Sequence, residues 1–372
     1  MNSMTITRDF GRSKKKILVV DDSALMRRVM CDIINSDDRF QVAEYAVDGE
    51  KAYELLKNNQ YDGVVLDVNM PKINGIQLLR MLQKDKIRAR IMMASTDTRE
   101  GASVTLEALE LGAIDFIEKP ANIIYLKGDG FKKRFLEILY AVVTSGQTNI
   151  PRESLISRQK QEESTRKLVD IVKKSAPVTS GQKVVALACS TGGPKALQSV
   201  VPNLPAELAA PVLIVQHMPK GFTQSLAERL NTMSKVSVKE AEEGDILENG
   251  KVYIARGGVH MNVVSKGGKN MIHYSDEPPR EGVKPCANYM YESLKESNYS
   301  QVVCVVLTGM GADGTKGIVN LETAKRIHVI AQDEGSSTVY GMPKSIAATG
   351  LVNQIVTLDD VAQEIIMNVG VK

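Results

Sequence analysis

The feature that most constrains this chain is a repeated alternation: short apolar runs separated by amphipathic, helix-length segments occur in two series, divided by a polar stretch. The first series runs through Ile17–Val20, Val42-Ala43, Tyr61–Leu66, Arg90–Ala94 and Asp115–Ile117, with Ala24–Asn35, Gly49–Asn58, Gly75–Lys84 and Ala102–Leu111 between them. Five strands alternating with helices imply a parallel sheet covered on both faces. The second series begins at Val184–Cys189 and continues through Pro211–Val215, Val252–Ala255, Val302–Leu307 and Ile327–Ile330. Its strongest runs are continuously apolar, as in strands buried on both faces of a parallel sheet. No repeat relates the two series.

Between them, residues 144–182 are rich in Ser, Gln, Glu, Arg and Lys, with Pro151 and Pro177 near the ends. This composition predicts a linker, in which Glu162–Lys174 could form an amphipathic helix. A length of 372 residues exceeds what one core usually organises. The expected division is a flexible tail over 1–15, an α/β domain over 16–143, the linker over 144–182 and a second, doubly wound α/β domain over 183–372.

Composition excludes several classes. The charge is nearly balanced, +3 from 47 basic and 44 acidic side chains, so no nucleic-acid partner is expected. No apolar run reaches the length of a membrane span and no signal segment opens the chain, so direct membrane insertion is not expected and a cytoplasmic location is. Cys31, Cys189, Cys286 and Cys304 form no CxxC pair, so neither zinc nor a disulfide framework is implied.

Asp21 and Asp22 follow the first strand and Asp67 closes the third, so a parallel sheet brings all three carboxylates to one carboxyl-terminal edge. An oxygen-rich, incompletely filled site suits Mg²⁺, and a carboxylate beside that ion can attack a phosphoryl group. Ser95 at the end of the fourth strand and Lys119 after the fifth supply a hydroxyl and an ammonium for the phosphoryl oxygens. Val20–Ser23, Asp67–Pro71, Ser95 and Lys119-Pro120, in this order, resemble the receiver domain of two-component response regulators, with its flavodoxin-like five-stranded sheet. The resemblance implies Asp67 as phospho-acceptor, Asp22, Asp67 and the Asn69 carbonyl as Mg²⁺ ligands with Asp21 supporting them, and a histidine kinase as phosphodonor.

In the second series, Ser190 follows an apolar strand and leads into Thr191-Gly-Gly-Pro194 and a helix. Strand, glycine turn and helix expose Ser190 at a helix amino terminus, where backbone N–H groups stabilise an anion. Taken alone, the segment reads equally well as a phosphate loop. His217 ends the next strand, and Asp313 follows Val302–Leu307 through a glycine-rich loop, so all three side chains should reach one sheet edge. A serine needs an imidazole to take its proton, and the imidazole needs a carboxylate to fix its tautomer. The glycines flanking Met310 predict a tight loop whose N–H could face the oxyanion, with Thr191 N–H as a second donor. Cys189, inside the apolar strand, reads as an inert thiol. His260, His273 and His328 show no metal-ligand spacing; His260 could line the cleft or simply pack.

Cys189–Pro194, Gln216–Met218, His260-Met261, Gly309–Gly314 and Tyr340–Pro343 together resemble the chemotaxis protein-glutamate methylesterases. The resemblance implies Ser190, His217 and Asp313 as a triad, with the Met310 backbone at the oxyanion. It further implies hydrolysis of glutamate γ-methyl esters on chemoreceptors with release of methanol, a related glutamine deamidation, no organic cofactor for the esterase, and a receiver that covers the active site until phosphorylated. One segment departs from the family pattern: where Pro-Ser-x-Asp is common, this chain has Pro285-Cys-Ala-Asn288, and the missing charge at Asn288 puts contacts at the substrate rim in doubt. The competing readings are a non-catalytic partner-binding second domain and a hydrolase acting on another signalling protein.

Overall fold

A computed structural model describes residues 13–96, 99–120, 128–146 and 181–372. Residues 1–12 of the tail expected over 1–15, most of the linker and its helix at Glu162–Lys174 lie outside the described residues.

The first unit contains β1 (Lys15–Val20), α1 (Ala24–Asn35), β2 (Phe40–Ala46), α2 (Gly49–Asn58), β3 (Gly63–Asp67), α3 (Gly75–Lys84), β4 (Ile91–Thr96), α4 (Arg99–Glu110), β5 (Asp115–Lys119) and α5 (Asp129–Thr144). Its sheet order is β2-β1-β3-β4-β5 with every pairing parallel. This is the receiver-type α/β fold. Side-chain caps start α1, α2 and α3: Ser23 Oγ accepts Met26 N–H, Asp48 accepts Lys51 N–H, and Asn74 and Gln77 form a reciprocal capping box on α3. The strand order reverses beside β1, so the ends of β1 and β3 open a crevice at the carboxyl edge, the usual ligand position in such sheets.

The second unit is built on a seven-stranded parallel sheet, ordered β14-β13-β12-β6-β7-β9-β8. Its centre is β6 (Lys183–Cys189), flanked by β7 (Val212–Gln216) and β12 (Gln301–Val306), and its edges are β8 (Ser237–Glu240) and β14 (Gln354–Val356). Between them lie β9 (Lys251–Ile254) and β13 (Arg326–Gln332). The five runs expected from sequence all lie in this sheet. The two edge strands do not stand out in sequence, because they are short and half exposed. An antiparallel hairpin, β10 (His260–Lys266) with β11 (Lys269–Ser275), is a further addition to the expected pattern.

The helices of this unit are α6 (Gly193–Val200), α7 (Phe222–Met233), α8 (Ala287–Ser293), α9 (Thr315–Glu322), α10 (Met342–Ala347) and α11 (Val361–Val369). Gly192, at φ 79°, makes the turn from β6 into α6, and a Cβ there would lie 2.3 Å from Thr338 Oγ1. The turn therefore requires glycine on both counts.

One hydrophobic cluster runs through both units. Leu106, Leu109 and Phe116 of the first belong to the same packed set as Leu197, Phe222, Leu226 and Leu230 of the second. Phe116 and Phe222 stack with centroids 4.7 Å apart and planes 16° from parallel. Beside them Glu110 of α4 accepts both guanidinium hydrogen bonds of Arg229 on α7, and a third from Gln198 Nε2 on α6 at 3.0 Å.

Within the first unit, Phe135 of α5 is fully buried against the sheet. Phe135→Ala is expected to lower the unfolding free energy of that unit by about 3–5 kcal/mol, measured as a shift of its urea transition.

Candidate active site

The acidic crevice lies at the carboxyl ends of β1 and β3. Carboxylate oxygens of Asp21, Asp22 and Asp67 lie within 4.8 Å of one another, with Asp21 and Asp67 buried and Asp22 exposed. Lys119 Nζ reaches both Asp21 and Asp67 at 2.7 Å. Burial raises the Asp67 carboxyl to about 6, against the opposing pull of Lys119. Three clustered oxygen donors, one of them open to water, fit a hard divalent cation that keeps part of its hydration. Asn69 follows two residues after Asp67 and donates its N–H to Asp67 Oδ1 at 3.4 Å. Ser95 is buried, its hydroxyl turned to the Gly101 carbonyl at 3.4 Å.

In the second unit, β6, β7 and the loop after β12 deliver Ser190, His217 and Asp313 to one edge. His217 Nε2 donates to Asp313 Oδ2 at 2.7 Å. That bond fixes the tautomer and leaves Nδ1 as the proton acceptor. Ser190 and His217 line a common cavity of about 390 Å³ with Met310. No hydrogen bond joins Ser190 Oγ to His217 among the described residues, so the structure brings histidine and aspartate into contact and holds the serine nearby.

Ser190 is fixed through its backbone: its N–H donates to Thr308 O, and its carbonyl accepts from Gly193 N–H and Gln216 Nε2. The glycine-rich loop passes so close that a Cβ on Gly309 would lie 2.9 Å from Ser190 Cβ. The backbone N–H groups of Thr191 and Met310 make no hydrogen bond among the described residues, and the buried Thr191 hydroxyl faces the buried Asp115 carboxyl of β5. Cys189 is fully buried, burial raises its thiol, and its Sγ contacts Gln216 Oε1 at 3.0 Å.

Asp313 is itself buried. Burial would raise its carboxyl, but the His217 hydrogen bond and charge, the Cys286 thiol and the Ala287 N–H outweigh this and hold it at about 2. Asn288 N–H and Gly314 N–H also donate to it, at 3.0 and 2.8 Å.

One residue sits differently from its sequence expectation. Asn288 is fully buried rather than on a substrate rim: its Oδ1 accepts Gly317 N–H at 2.6 Å where α8 packs on α9. Its missing charge therefore alters the interior. Of the two roles open to His260, packing is the one observed, since it is fully buried at the start of β10. The sequence carries no sign of the Asn288 position, because it follows from how α8 turns inward.

The receiver-type unit closes over this edge. Lys133, Arg134 and Glu137 of α5 line the same cavity as Ser190, His217 and Met310. Glu281, Gly282 and Val283 complete its wall.

Two family models match the chain. CheB methylesterase matches residues 185–365 and the response regulator receiver domain matches residues 17–127. The chain is 43% identical over 95% of its length to a protein-glutamate methylesterase/protein-glutamine glutaminase of Pyrococcus abyssi, covering 93% of that protein. Proteins with the same name from Geobacillus kaustophilus and Bacillus subtilis are 39% and 38% identical, over 95% and 94% of this chain and 99% and 97% of theirs. Fold and comparisons together define a response regulator with a hydrolase output domain. The chain belongs to the receiver-regulated protein-glutamate methylesterase/protein-glutamine glutaminase family.

Asp313→Asn is expected to lower kcat by roughly 10³-fold or more, because an amide cannot accept all the hydrogen bonds that converge there. The folded carboxyl, at about 2, lies below its unfolded value near 3.9. Its contribution to stability is therefore fully present above about pH 4 and lost as pH falls towards 2, which urea midpoints measured from pH 5 to 2 would follow.

Proposed function

We propose that this protein removes methyl groups from γ-glutamyl methyl esters of chemotaxis receptors, releasing methanol, and deamidates receptor glutamines at the same serine. The observation that carries the reading is the buried His217–Asp313 hydrogen bond at the edge where Ser190 opens the α6 turn. His217 Nδ1 takes the Ser190 proton as Oγ attacks the ester carbonyl. Thr191 N–H and Met310 N–H, which have no acceptor among the described residues, receive the oxyanion. The protonated imidazole, stabilised by Asp313, gives its proton to the leaving methoxide. Water then attacks the acyl-enzyme with His217 again as base; the acyl–Oγ bond breaks, Ser190 Oγ takes the proton from His217, and the glutamate carboxylate departs.

In the receiver domain, Asp67 is the phospho-acceptor for a chemotaxis histidine kinase. Asp21, Asp22, Asp67 and the Asn69 carbonyl would hold Mg²⁺, whose charge offsets that of the entering phosphoryl group. Lys119 and Ser95 then bind phosphoryl oxygens. Lys119 now pairs with Asp67, so phosphorylation must rearrange that contact, and β5 and α4 carry the change to Phe116 and Glu110 at the seam. The protein works in the cytoplasm; no helix among the described residues is long and apolar enough to cross a membrane.

Methanol release from methylated receptor membranes, with and without a phosphodonor, tests this reading. The native chain should be stimulated, Asp67→Ala should lose the stimulation while keeping basal turnover, and Ser190→Ala should release none. No methanol from any receptor preparation would defeat the substrate assignment. Arg229→Ala, which breaks the half-buried pair with Glu110, should raise the unphosphorylated rate by roughly five- to tenfold and leave the phosphorylated rate within about twofold, read in the same assay.

A further inference from the structure

Among the described residues, Asp313 accepts five hydrogen bonds, and their source singles out one residue. Oδ2 takes His217 Nε2 at 2.7 Å and Ala287 N–H at 2.6 Å. Oδ1 takes Asn288 N–H, Gly314 N–H and the Cys286 thiol, the last at 3.0 Å. Three of these donors are main chain, so Cys286 is the side-chain donor besides His217 that a substitution can remove.

Cys286 is fully buried and extended, immediately before the first residue of α8. Its own N–H donates to His260 Nδ1 at 3.1 Å, while His260 Nε2 donates to the Glu277 carbonyl at 3.1 Å. The imidazole is therefore neutral with its proton on Nε2, and its ring rests on Tyr289 with centroids 4.5 Å apart. His260 thus fixes the main chain at Cys286, and through it the direction of the thiol and of the two N–H groups that follow.

We propose that Cys286 is a positioning residue of the esterase reaction: its thiol holds Asp313 Oδ1 so that Oδ2 stays aligned with His217, and His260 holds Cys286 in turn. The inference rests on the Ser190–His217–Asp313 reading. A thiol is a weak donor, but its acceptor is an ionised carboxylate, which strengthens the bond. Burial, and then the neighbouring Asp313 charge, push the thiol far up, so it stays protonated and remains a donor throughout the working range. Withdrawing charge through Oδ1 also sets how strongly Asp313 stabilises the imidazolium during proton transfer.

Among the described residues, several titratable and charged groups surround this cluster: Arg280, paired with Glu292 at 2.8 Å and lying over the Tyr289 ring, is near Cys286, and the buried Tyr291 is near Asp313. His217 and Cys286 face Asp313 directly. Lys284, paired with Asp276 at 2.6 Å, and Glu277 border His260. Glu281 accepts from Asn288 Nδ2 at 3.4 Å and pairs with Lys316 at 3.5 Å.

The test uses the full chain, phosphorylated to the same extent at each pH, with methanol release from methylated receptor membranes as readout. Circular dichroism melts confirm that each variant is folded at the assay temperature. Cys286→Ala should lower kcat by roughly three- to tenfold with KM unchanged, because Cys286 lies behind Asp313 and touches no substrate. Losing a donor makes Asp313 more basic and favours the imidazolium, so the acid limb of kcat/KM should move to higher pH. Cys286→Ser, which restores a hydroxyl donor, should keep kcat within about twofold and hold the acid limb at or below the native position. Native kcat and acid limb in Cys286→Ala would overturn the proposal. Equal losses in both variants with an unmoved acid limb would overturn it as well, since that pattern reports shape alone. Undiminished turnover in Ser190→Ala would overturn the triad and this inference with it, whereas its loss beside native behaviour of Cys286→Ala defeats this inference only.

Discussion

A strand that runs parallel to its neighbour must return through a crossover, so every strand of a parallel sheet ends at the same edge. This constraint organises the protein twice. In the receiver domain it gathers Asp21, Asp67 and Lys119 from three separate strands or strand ends. In the catalytic domain it gathers Ser190, His217 and Asp313 from positions as much as 123 residues apart, counting from 190 to 313. Neither set could be assembled by neighbours in sequence, and both depend on helices that keep the two faces of each sheet dry.

Joining the two edges is a matter of packing. The receiver lays α4, β5 and α5 over the catalytic edge, with Phe116 stacked on Phe222 and Glu110 held by Arg229 and Gln198. The same closure brings Lys133 and Arg134 to the wall of the cavity that holds Ser190. The acidic crevice and the seam share structural elements, since Lys119 ends the strand that Asp115 and Phe116 begin. A change of charge at Asp67 thus has a short path to the contact that covers the serine.

How much of this could be read from sequence depended on the physical signal each part leaves. Continuous apolar runs such as Val302–Leu307 declare buried parallel strands, and the strand-end positions of Asp67, Ser190, His217 and Asp313 follow from them. The edge strands Ser237–Glu240 and Gln354–Val356, half exposed and short, carry no comparable run. The seam was illegible because Glu110 and Arg229 look like solvated charges on amphipathic helices, and only the docked arrangement buries them in part. Asn288 is illegible for a related reason: a polar residue beside a cleft reads as cleft-facing, whereas here the Gly317 N–H of α9 draws it inward, and the choice between the two roles open to His260 is made by the Cys286 N–H just before α8.

On the proposed switch at Asp67, the continuous hydrophobic cluster through both domains can hold them together only so firmly. A phosphoryl group can move a two-state equilibrium only by its differential free energy, and reversing a 99:1 preference takes about 5.5 kcal/mol. The aromatic stack and the Glu110 pair must together stay near or below that ceiling, since a tighter seam would leave the serine covered whatever happened at Asp67. A larger contact would make a more stable molecule and a deaf one. On that reading the seam belongs to a switch, with adhesion held to what one modification can undo.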